Sequence, residues 1–360
     1  MISAGEIKMI EKIHDKDTWQ TLKDSRKPII LYGMGNGADQ IIDVLGSYGL
    51  SFSDVFASDG FVRGQLFHGK RVLTLSEVEE KYGDFIIVMT FAVHDEKTLR
   101  FVRMLSKKHT LLSPTVPVSG SGLITRKFVE EHDSEYDRAF SLLSDEKSRE
   151  SYLDVLRFTV SGNTDFLFSC TSEKREVYSD ILKLTDSESI VDLGAYNGDT
   201  VREFLGATSG KYKSILALEP DEKNFRKLLK NTEGLENIEC KNLGAWDKEE
   251  TLFFEKKSSR SSHKSETGVP VSFTSVDSLV RNEVSFIKMD IEGAEAKALT
   301  GAAETIRKYK PKLYVCAYHR NEDLFALPLK INEIQPGYRF YFRHHPYIPA
   351  WESNFYCVYG

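Results

Sequence analysis

Two short glycine-rich turns have the composition of ligand-binding loops. One is LYGMGNGADQ, Leu31 to Gln40, and the other is VDLGAYNGDT, Val191 to Thr200. Each follows an apolar run of strand type and precedes the start of a helix. Glycine permits a tight turn and a close approach of a ligand to the backbone, and the free N–H groups at a helix start favour a phosphate or carboxylate. Both turns are therefore candidates for holding a cofactor.

The second turn is followed by an acid at the distance that a ribose requires. Asp192 stands near the strand end, Gly194 and Gly198 form the turn, and Thr200 opens the helix. The next strand ends in ALEP, which places Glu219 25 positions after Gly194. An acid there accepts hydrogen bonds from ribose hydroxyls. Loop, spacing and acid together indicate an adenosine-type cofactor.

Carboxylates and histidines collect where later strands end. MDIEG puts Asp290 and Glu292 after a buried strand, and AYHR puts His319 at the end of the next one. Ligands of open α/β sheets bind outside the carboxyl ends of the strands, and these residue types serve there as general acids and bases. Further candidates at this edge are Glu295, His344, His345 and Glu352, with Tyr178 just before the strand of the second turn.

Each candidate also has a structural interpretation. Asp290 suits a helix cap, and Glu295 complements a helix dipole. His319 suits a hydrogen-bonded core position, and Tyr178 suits core packing. A divalent metal held by Asp290 and partners is chemically sensible because oxygen-rich sites suit Mg²⁺. The spacing does not require one, so the sequence predicts no metal ligands and leaves a divalent metal open.

The elements that position these residues alternate between strand and helix signals. Such alternation predicts parallel strands joined by right-handed crossovers. The final runs YRFYFRHH and NFYCVYG predict an antiparallel pair at one edge. The predicted fold class is therefore α/β, with two doubly wound Rossmann-like domains. The predicted strands are PIILYG, VFASD, a strand within KRVLTLSEVEEKYG before a serine-capped helix, FIIVMTF, SIVDLGA, SILALEP, NIECKNLGAW, SFIKMD and KLYVCAYH.

Composition marks the boundary between the two regions. The stretch SPTVPVSGSG, from Ser113, is rich in Pro, Gly and Ser. We predict an N-terminal domain over residues 1–117, a linker with a segment of two helices over 118–171, and a second domain over 172–360. Within the second domain, TLFFEKK and VPVSFTSV predict an inserted hairpin with a basic tip, FEKKSSRSSHKSE.

The second region resembles the FkbM-type S-adenosylmethionine-dependent methyltransferases. The resemblance covers roughly Ser172 to Gly360, its most specific part is KMDIEGAE, and AYHRNEDLFALPLKI and YRFYFRHH resemble the tail of bacterial members. It implies a class I methyltransferase fold with an antiparallel edge, S-adenosyl-L-methionine as cofactor, and O-methylation, frequently of a sugar hydroxyl. The blocks in family order are VDLGAYNGDT, ALEPDEKNFRKLLKN, LGAWDKEETLFF, TSVDSL and FIKMDIEGAEAKALTGAAETIRKYKPKL.

The resemblance also implies which residues hold the cofactor. The turn would lie along its methionine part, the acid after the next strand would take the ribose, and the end of the third strand would meet the adenine. The sequence departs from the usual loop at Tyr196, which replaces a common central glycine. The implied residues are Asp192, Gly194, Ala195, Tyr196, Asn197, Gly198, Thr200, Glu219, Pro220, Gly244, Ala245 and Trp246.

Methyl transfer from a sulfonium requires the acceptor oxygen in line with the methyl group. A sugar hydroxyl is a poor nucleophile, so a base is expected beside it. We assign Asp290 to orienting the cofactor amine or the acceptor, and His319 or Glu292 to the role of base. The basic hairpin tip is expected to act as a lid over a sugar or anionic acceptor.

Other functions remain open. Gly33, Gly35 and Ala38 fit the G-x-G-x-x-G/A pattern, and Asp59 ends the next predicted strand, which would suit an NAD-binding or nucleotide-sugar-binding protein. No acid/base signature for hydride transfer accompanies this turn, and we favour a structural role for it. FASDGFVRGQLFHGKRV resembles the N-terminal domains of bacterial sugar acyltransferases, which hold a nucleotide sugar or serve as a scaffold. A non-catalytic module, or a methyltransferase acting on a non-sugar small molecule or lipid, is also open.

Composition narrows the partners. The net charge of −6 argues against nucleic acid as the main partner. The four cysteines show no paired spacing, which argues against metal knuckles and disulfides and suits a reducing compartment. No segment has the apolar length of a signal peptide or a membrane span. We expect a cytoplasmic protein that acts on a sugar or another small-molecule acceptor.

Overall fold

The N-terminal region is built on a parallel sheet. The computed structural model describes residues 8–117, 119–120, 122–254 and 269–360. The strands of this region are β1 (Ile29–Tyr32), β2 (Asp54–Phe56), β3 (Leu66–Phe67), β4 (Lys70–Arg71), β5 (Ile86–Met89) and β6 (Thr110–Leu112). The helices are α1 (Met9–Lys12), α2 (Thr18–Asp24), α3 (Asn36–Ser47), α4 (Leu75–Tyr82) and α5 (Glu96–Lys108). The sheet order is β2-β1-β5-β6, all parallel, and β3 pairs with β4 as a small hairpin.

Apolar runs account for this sheet, and turn chemistry accounts for its helices. Every residue of β1 and β5 is buried, as expected of strands covered on both faces. The predicted serine cap of α4 is wrong, because Thr74 caps the helix in a reciprocal capping box with Glu77. The predicted strand end at Asp59 is also wrong, since β2 ends at Phe56 and Asp59 begins a 3₁₀ turn.

A helical segment connects the two regions, with more breaks than predicted. Its helices are α6 (Arg126–Glu131), α7 (Asp133–Ser141), α8 (Glu146–Ser161), α9 (Asp165–Cys170) and α10 (Lys174–Glu176), and a π-helical turn follows at Val177–Ile181. The chain leaves helical geometry at His132, the Asp145 side chain caps α8, and Gly162 ends α8 in a left-handed conformation. These three local signals divide what the periodicity alone presents as two helices.

The second region contains a seven-stranded sheet and a smaller sheet beside it. Its strands are β7 (Ser189–Leu193), β8 (Ser214–Leu218), β9 (Ile238–Lys241), β10 (Gly244–Ala245), β11 (Glu250–Phe254), β12 (Val269–Thr274), β13 (Phe286–Met289), β14 (Lys312–Cys316), β15 (Tyr338–His344) and β16 (Ser353–Tyr359). Its helices are α11 (Asp199–Ala207), α12 (Glu222–Asn231), α13 (Val276–Leu279), α14 (Glu295–Gly301), α15 (Ala303–Tyr309) and α16 (Asp323–Ile334).

The large sheet has the order β15-β16-β14-β13-β7-β8-β9, and β16 runs antiparallel to both of its neighbours. The predicted α/β class with parallel sheets is confirmed, and so is the predicted antiparallel pairing of β15 with β16. The carboxyl ends of β7, β8, β13 and β14 lie along one edge of the sheet, where they position the candidate residues.

Three predicted elements differ from the structure. NIECKNLGAW is not one strand: the Asn242 side chain bonds the carbonyls of Glu219 and Pro220, and the chain bends so that β10 pairs with β12 in the small sheet. The helix after β13 breaks into α14 and α15, since Asp277 caps the second one through the Glu304 and Thr305 N–H groups. The strand before His319 ends earlier, at Cys316, so the histidine lies in a loop.

The base of the inserted hairpin is confirmed, because β11 and β12 pair antiparallel. Its basic tip lies outside the described residues, and the proposed lid with it. Among the described residues, no helix combines the length and the apolar character needed to cross a bilayer.

The helical segment is packed into both regions. One apolar cluster joins Tyr32 of the first sheet, Leu156 of α8 and Val315 of the second sheet. The boundaries at 117/118 and 171/172 stay predictions. A buried fork adds a polar contact, in which the Arg343 guanidinium of β15 donates to both oxygens of Asp145, at 3.2 and 2.7 Å, and to Ser148 Oγ at 2.7 Å.

We predict that Arg343→Met lowers the free energy of unfolding by about 3 kcal/mol, because it leaves the Asp145 carboxylate without its partner in a mostly buried site. Arg343→Lys should also lose stability, since an ammonium group cannot reproduce the fork. Urea unfolding measures both. The control is Arg339→Met on the exposed face of the same strand, expected within about 0.5 kcal/mol of the parent chain. Equal effects at both positions would refute the importance of the fork.

Candidate functional site

The second glycine turn begins at the end of β7, beside the end of the neighbouring strand β13. Gly194 has φ of +81°, and a Cβ atom there would overlap the carbonyl oxygen of Asp290. The N–H groups of Gly194 and Ala195 both donate to the Leu218 carbonyl, at 3.0 and 2.9 Å. Glycine is therefore required at this position by packing and by conformation together.

Tyr196 takes the conformation of the glycine that it replaces. Its φ is +47°, and its side chain is 47% exposed, so the ring stands away from the packed side of the turn. Lys227 places its ammonium group 5.8 Å from the centre of this ring. Gly198, with φ of +84°, is the N-cap of α11, and Asn197 carries a buried side-chain oxygen without a hydrogen bond.

Glu219 folds back onto the turn from the end of β8. Its two oxygens accept from the N–H groups of Tyr196, at 2.9 Å, and Asp221, at 2.8 Å. Burial raises the pKa of Glu219 to about 7, against the opposing effect of these two N–H donors. Each carboxylate oxygen keeps a lone pair, so the acid remains able to accept from ribose hydroxyls.

The residues predicted to meet the adenine lie in the small sheet. Gly244 and Ala245 form β10, and a Cβ atom at Gly244 would overlap the Phe273 ring. The Trp246 N–H donates to the Thr274 carbonyl at 2.8 Å, and its indole meets the same Phe273 edge-on. Contact of these residues with an adenine stays a prediction.

Asp192 and Lys288 form a buried ion pair beneath the turn. Asp192 is fully buried, and Lys288 Nζ lies 3.5 Å from its Oδ1. Burial raises the pKa of Asp192 to about 6, although the Lys288 ammonium opposes this effect. Lys288 also donates to the Gly194 carbonyl at 3.2 Å and meets Thr200 Oγ1 at 3.1 Å. Asp192, Gly194 and Thr200 therefore share one cation.

Asp290 opens the loop after β13 and is held on two sides. Its Oδ1 accepts from the Tyr318 hydroxyl at 3.1 Å and lies 3.4 Å from His319 Nε2, while Oδ2 lies 3.7 Å from Lys288 Nζ. Burial would raise the pKa of Asp290, but the Lys288 ammonium and the His319 ring outweigh it and lower the pKa. Asp290 is therefore a carboxylate at neutral pH.

His319 lies among three carboxylates. Its Nδ1 is 2.9 Å from Glu295 Oε1, and its Nε2 faces Asp290 and, at 3.8 Å, Glu292 Oε2. Burial would lower the pKa of His319, but these acids, Glu295 first, raise it to about 10. At neutral pH the ring is therefore an imidazolium, which favours Glu292 over His319 as the base.

Glu292 has the geometry of a strained functional residue. Its φ of +53° is unusual for a residue with a side chain, and 60% of that side chain is exposed. Strain of this kind persists where the surrounding structure imposes it, often at functional sites. The neighbouring Gly293 carbonyl accepts from Arg320 Nε at 2.6 Å, which fixes the loop that carries Glu292.

One group among the described residues has the composition of a cation site: Glu295, His319 and Asp323, all buried. Its carboxylates have structural partners. Glu295 Oε1 accepts from the Ile291 N–H at 2.9 Å, and Asp323 Oδ2 accepts from the His319 and Arg320 N–H groups at 3.0 and 2.7 Å. The His319 imidazolium pairs with Glu295, while Asp323 accepts from two backbone N–H groups, so contacts within the fold account for both acids. Asp290 is not part of this group.

The other histidine candidates are bonded into the fold. His344 Nδ1 meets Ser353 Oγ at 3.0 Å, and His345 meets the Ser172 carbonyl and the Tyr356 hydroxyl, each at 2.7 Å. Burial lowers the pKa of His344 to about 3 and that of His345 to about 4. Both rings are therefore neutral and structural.

Glu352 and Tyr178 both contact a polar cluster, formed by Lys174 and Glu203, beside the edge of the sheet. Glu352, at φ of +65°, pairs with Lys174 at 3.1 Å, and Lys174 also reaches Glu203 at 3.4 Å. The Tyr178 hydroxyl donates to the same Glu203 at 3.0 Å, while its ring packs edge-on against Phe204. Tyr178 therefore has the core-packing role that the sequence left open.

Packing accounts for the N-terminal glycine turn. A Cβ atom at Gly33 would lie 2.6 Å from the Phe91 ring, and one at Gly37 would overlap the Thr90 carbonyl oxygen. Asp39 at the helix start already pairs with His68 at 2.7 Å. These contacts support the structural interpretation of this turn.

Sequence reasoning missed three residues and one contact. A lysine inside the apolar run FIKM was a signal for Lys288, since a buried charge needs partners. Tyr318 and Asp323 gave no comparable signal. The predicted linker also reaches the site, because the Ser119 N–H donates to the His319 carbonyl at 2.9 Å.

We predict that His319→Gln lowers the free energy of unfolding by about 3 kcal/mol at pH 6, because it removes the partner of a buried carboxylate. The folded pKa of about 10 exceeds the ordinary value of 6.5. The stabilisation is therefore complete below pH 6.5 and disappears as the pH rises through 10. Urea unfolding at pH 6, 8 and 10 should show a narrowing gap between variant and parent. His68→Gln on the exposed Asp39 pair is the control, and a gap independent of pH would contradict the prediction.

Residues 192–347 match the family model described as the methyltransferase FkbM domain. A methyltransferase FkbM from Methylobacillus flagellatus KT is similar in structure, with a TM-score of 0.72 and 21% identity over 97% of this chain and 92% of that one. This likeness shows a shared fold that includes the N-terminal region. None of the curated proteins matches the chain.

Two more distant structures align with about half of the chain. An rRNA methylase from Streptococcus thermophilus has a TM-score of 0.35 and 16% identity over 52% of this chain and 93% of that one. The Aeropyrum pernix fibrillarin, solved with natively bound S-adenosyl-L-methionine, has a TM-score of 0.34 and 14% identity over 51% and 73%. The matched range of 192–347 includes Gly194, Asp290 and His319. Residues 192–347 are therefore similar to the methyltransferase FkbM domain, and the shared fold extends over the N-terminal region.

Proposed function

We propose that this protein is an S-adenosylmethionine-dependent O-methyltransferase that acts on a sugar hydroxyl. One observation carries the proposal: the second glycine turn contacts both the acid assigned to the ribose and the backbone of Asp290, whose carboxylate is assigned to the reaction. Gly194 packs on the Asp290 carbonyl, and the Tyr196 N–H donates to Glu219. A plain α/β turn would not need a buried acid with a raised pKa on one side and a paired carboxylate on the other.

The residues present suit the cofactor. The Asn197 side chain has a buried oxygen without a hydrogen bond, and Glu219 keeps lone pairs for ribose hydroxyls. The start of α11 after Gly198 favours the carboxylate of an amino acid. When bound, S-adenosylmethionine would supply the methyl group from its sulfonium.

The base for the acceptor is Glu292 in this proposal. Its carboxylate is exposed to the edge where an acceptor would arrive, and the His319 imidazolium lies 3.8 Å from it. With S-adenosylmethionine bound, the acceptor oxygen would take the methyl group as the carbon–sulfur bond breaks and S-adenosylhomocysteine leaves, and Glu292 would accept the hydroxyl proton and release it to solvent. Asp290, kept ionised by its neighbours, orients the cofactor amine or the acceptor.

A small polar acceptor is consistent with the charges of the chain. The net charge of −6 does not suit nucleic acid, which favours a free sugar, a glycan or a nucleotide sugar in the cytoplasm. A non-sugar acceptor is the second candidate. We do not favour dinucleotide binding at Gly33, since Phe91 and Thr90 account for Gly33 and Gly37 of that turn. No metal enters the proposed mechanism.

We predict that Glu219→Gln raises the dissociation constant for S-adenosylmethionine by about tenfold or more, since the charged acceptors of the ribose hydroxyls are lost. Isothermal titration calorimetry measures the change. The matched control is Asp39→Asn at the start of the helix after the other glycine turn, expected to bind like the parent chain. If Asp39→Asn weakens binding and Glu219→Gln does not, the working turn is the N-terminal one.

We predict that Glu292→Gly slows methyl transfer by about 10² or more while the protein stays at least as stable, because the change removes the base and relieves the left-handed strain. Glu292→Gln should be equally slow without the gain in stability. Transfer from labelled cofactor to a panel of glycans and simple glycosides measures the rate, and thermal unfolding measures stability. Parental rates in both variants would exclude Glu292 as the base.

A further inference from the structure

Lys288 is a buried lysine in the middle of an apolar strand. It is 3% exposed, and its neighbours in β13, Ile287 and Met289, belong to the apolar core. Placing an ammonium group there costs free energy that burial of an apolar side chain would not cost. Replacing buried ion pairs with apolar residues is often neutral or stabilising, so folding alone does not explain this lysine.

The Lys288 ammonium group contacts the second glycine turn, the start of α11 and the loop that begins at Asp290. Its hydrogen bonds reach the Gly194 carbonyl at 3.2 Å and Thr200 Oγ1 at 3.1 Å. Its ion pairs reach Asp192 Oδ1 at 3.5 Å and Asp290 Oδ2 at 3.7 Å. An ammonium group has three protons for these four oxygens. The cofactor turn, the start of α11 and the catalytic loop are therefore held by one cation.

The charged neighbours make Lys288 the main cation of this interior. Asp192 faces it from β7, Asp199 from α11, Asp290 from the loop after β13 and the Cys316 thiol from β14. Among the described residues, Lys288 is the cation that pairs with Asp192, whose oxygens have no closer polar partner there. The His319 ring and the Tyr318 hydroxyl face Asp290 from the loop after β14 but do not pair with Asp192.

We propose that Lys288 is a positioning residue that couples cofactor binding to the ionisation of Asp290. It fixes the Gly194 carbonyl and Thr200 where the turn must receive the cofactor, and it keeps Asp192 and Asp290 negatively charged. The choice of cofactor rests on the proposed function, whereas the coupling of the turn to Asp290 rests on the contacts alone. Cofactor affinity and carboxylate ionisation should therefore change together when the ammonium group is removed.

Lys288→Met keeps the length of the side chain and removes the charge. We expect the dissociation constant for S-adenosylmethionine to rise by about tenfold or more at pH 7.5. We also expect the midpoint of its pH dependence to move upward by about one pH unit or more, because the carboxylates lose a cation within 4 Å. Isothermal titration calorimetry from pH 5 to 8.5 gives both values without an acceptor.

Two variants separate this role from a structural one. Lys312→Met removes a lysine at 2.6 Å from another buried acid, Glu188, at the opposite end of the neighbouring strand, and should leave affinity and midpoint unchanged. Thr200→Val removes an uncharged partner of Lys288 and should weaken binding without moving the midpoint. An unchanged midpoint in Lys288→Met, or an equal shift in Lys312→Met, would overturn the proposal.

Unfolding in urea from pH 4 to 8 tests the coupling even if the parent chain fails to bind S-adenosylmethionine, an outcome that would refute the proposed function. Removal of the ammonium group should raise the pKa values of Asp192 and Asp290 in the folded protein. The loss of stability in Lys288→Met should then be smallest at pH 4, where Asp192 is protonated in parent and variant alike, and should grow toward pH 8 as the parent gains the full charge of both acids. A loss independent of pH would mean that Lys288 only fills space.

Discussion

The site depends on the contact between the ends of two neighbouring parallel strands, β7 and β13. The Asp290 carbonyl occupies the space where a side chain at Gly194 would lie, and the Asp290 N–H donates to Leu193 at 3.0 Å. The same contact therefore fixes the first residue of the second glycine turn and the first residue of the loop after β13. Lys288 lies beneath this contact, and its buried ammonium group pairs with Asp192 at the end of β7 and with Asp290 after β13. Helix α11 begins directly after the turn, and its Thr200 hydroxyl bonds the Lys288 ammonium group.

Two buried cations influence the pKa values of the carboxylates around the contact between β7 and β13. Lys288 serves Asp192 and Asp290, while the His319 imidazolium serves Glu295 and reaches Asp290 and Glu292 from the other side. The pKa of Asp290 is thereby lowered, although burial alone would raise it. For Glu219, burial outweighs its two N–H donors and the charge of Lys288, and raises its pKa to about 7. Asp290 and Glu219, which lie at the same edge of the sheet, therefore differ in ionisation. Groups that differ in this way suit different roles in a site.

The parts of the fold that sequence reasoning predicted are those with local signals. Continuous apolar runs identified β1, β5, β13 and β14, and spacing alone located Glu219, whose folding back onto Tyr196 agrees with it. Long-range contacts defeated the rest: the Asn242 side chain bends the predicted third strand, and Asp277 starts α15 from a distant loop. The ionisation of His319 was equally hidden, since a histidine expected to act as a base becomes a cation only when Glu295, Asp290 and Glu292 surround it.

The two glycine turns show why a literal motif match is weak information about binding. Their spacing reports only that the backbone must bend sharply between a strand and a helix. In the N-terminal turn, Phe91 and Thr90 fill the space beside Gly33 and Gly37, so the glycines are explained by packing. In the second turn the Asp290 carbonyl at the end of β13 explains Gly194 equally well. Packing does not, however, require the carboxylates of Glu219 and Asp290. The difference between a structural turn and a binding turn therefore lies in the side chains that other strands bring to it, which in this fold come from β8 and β13.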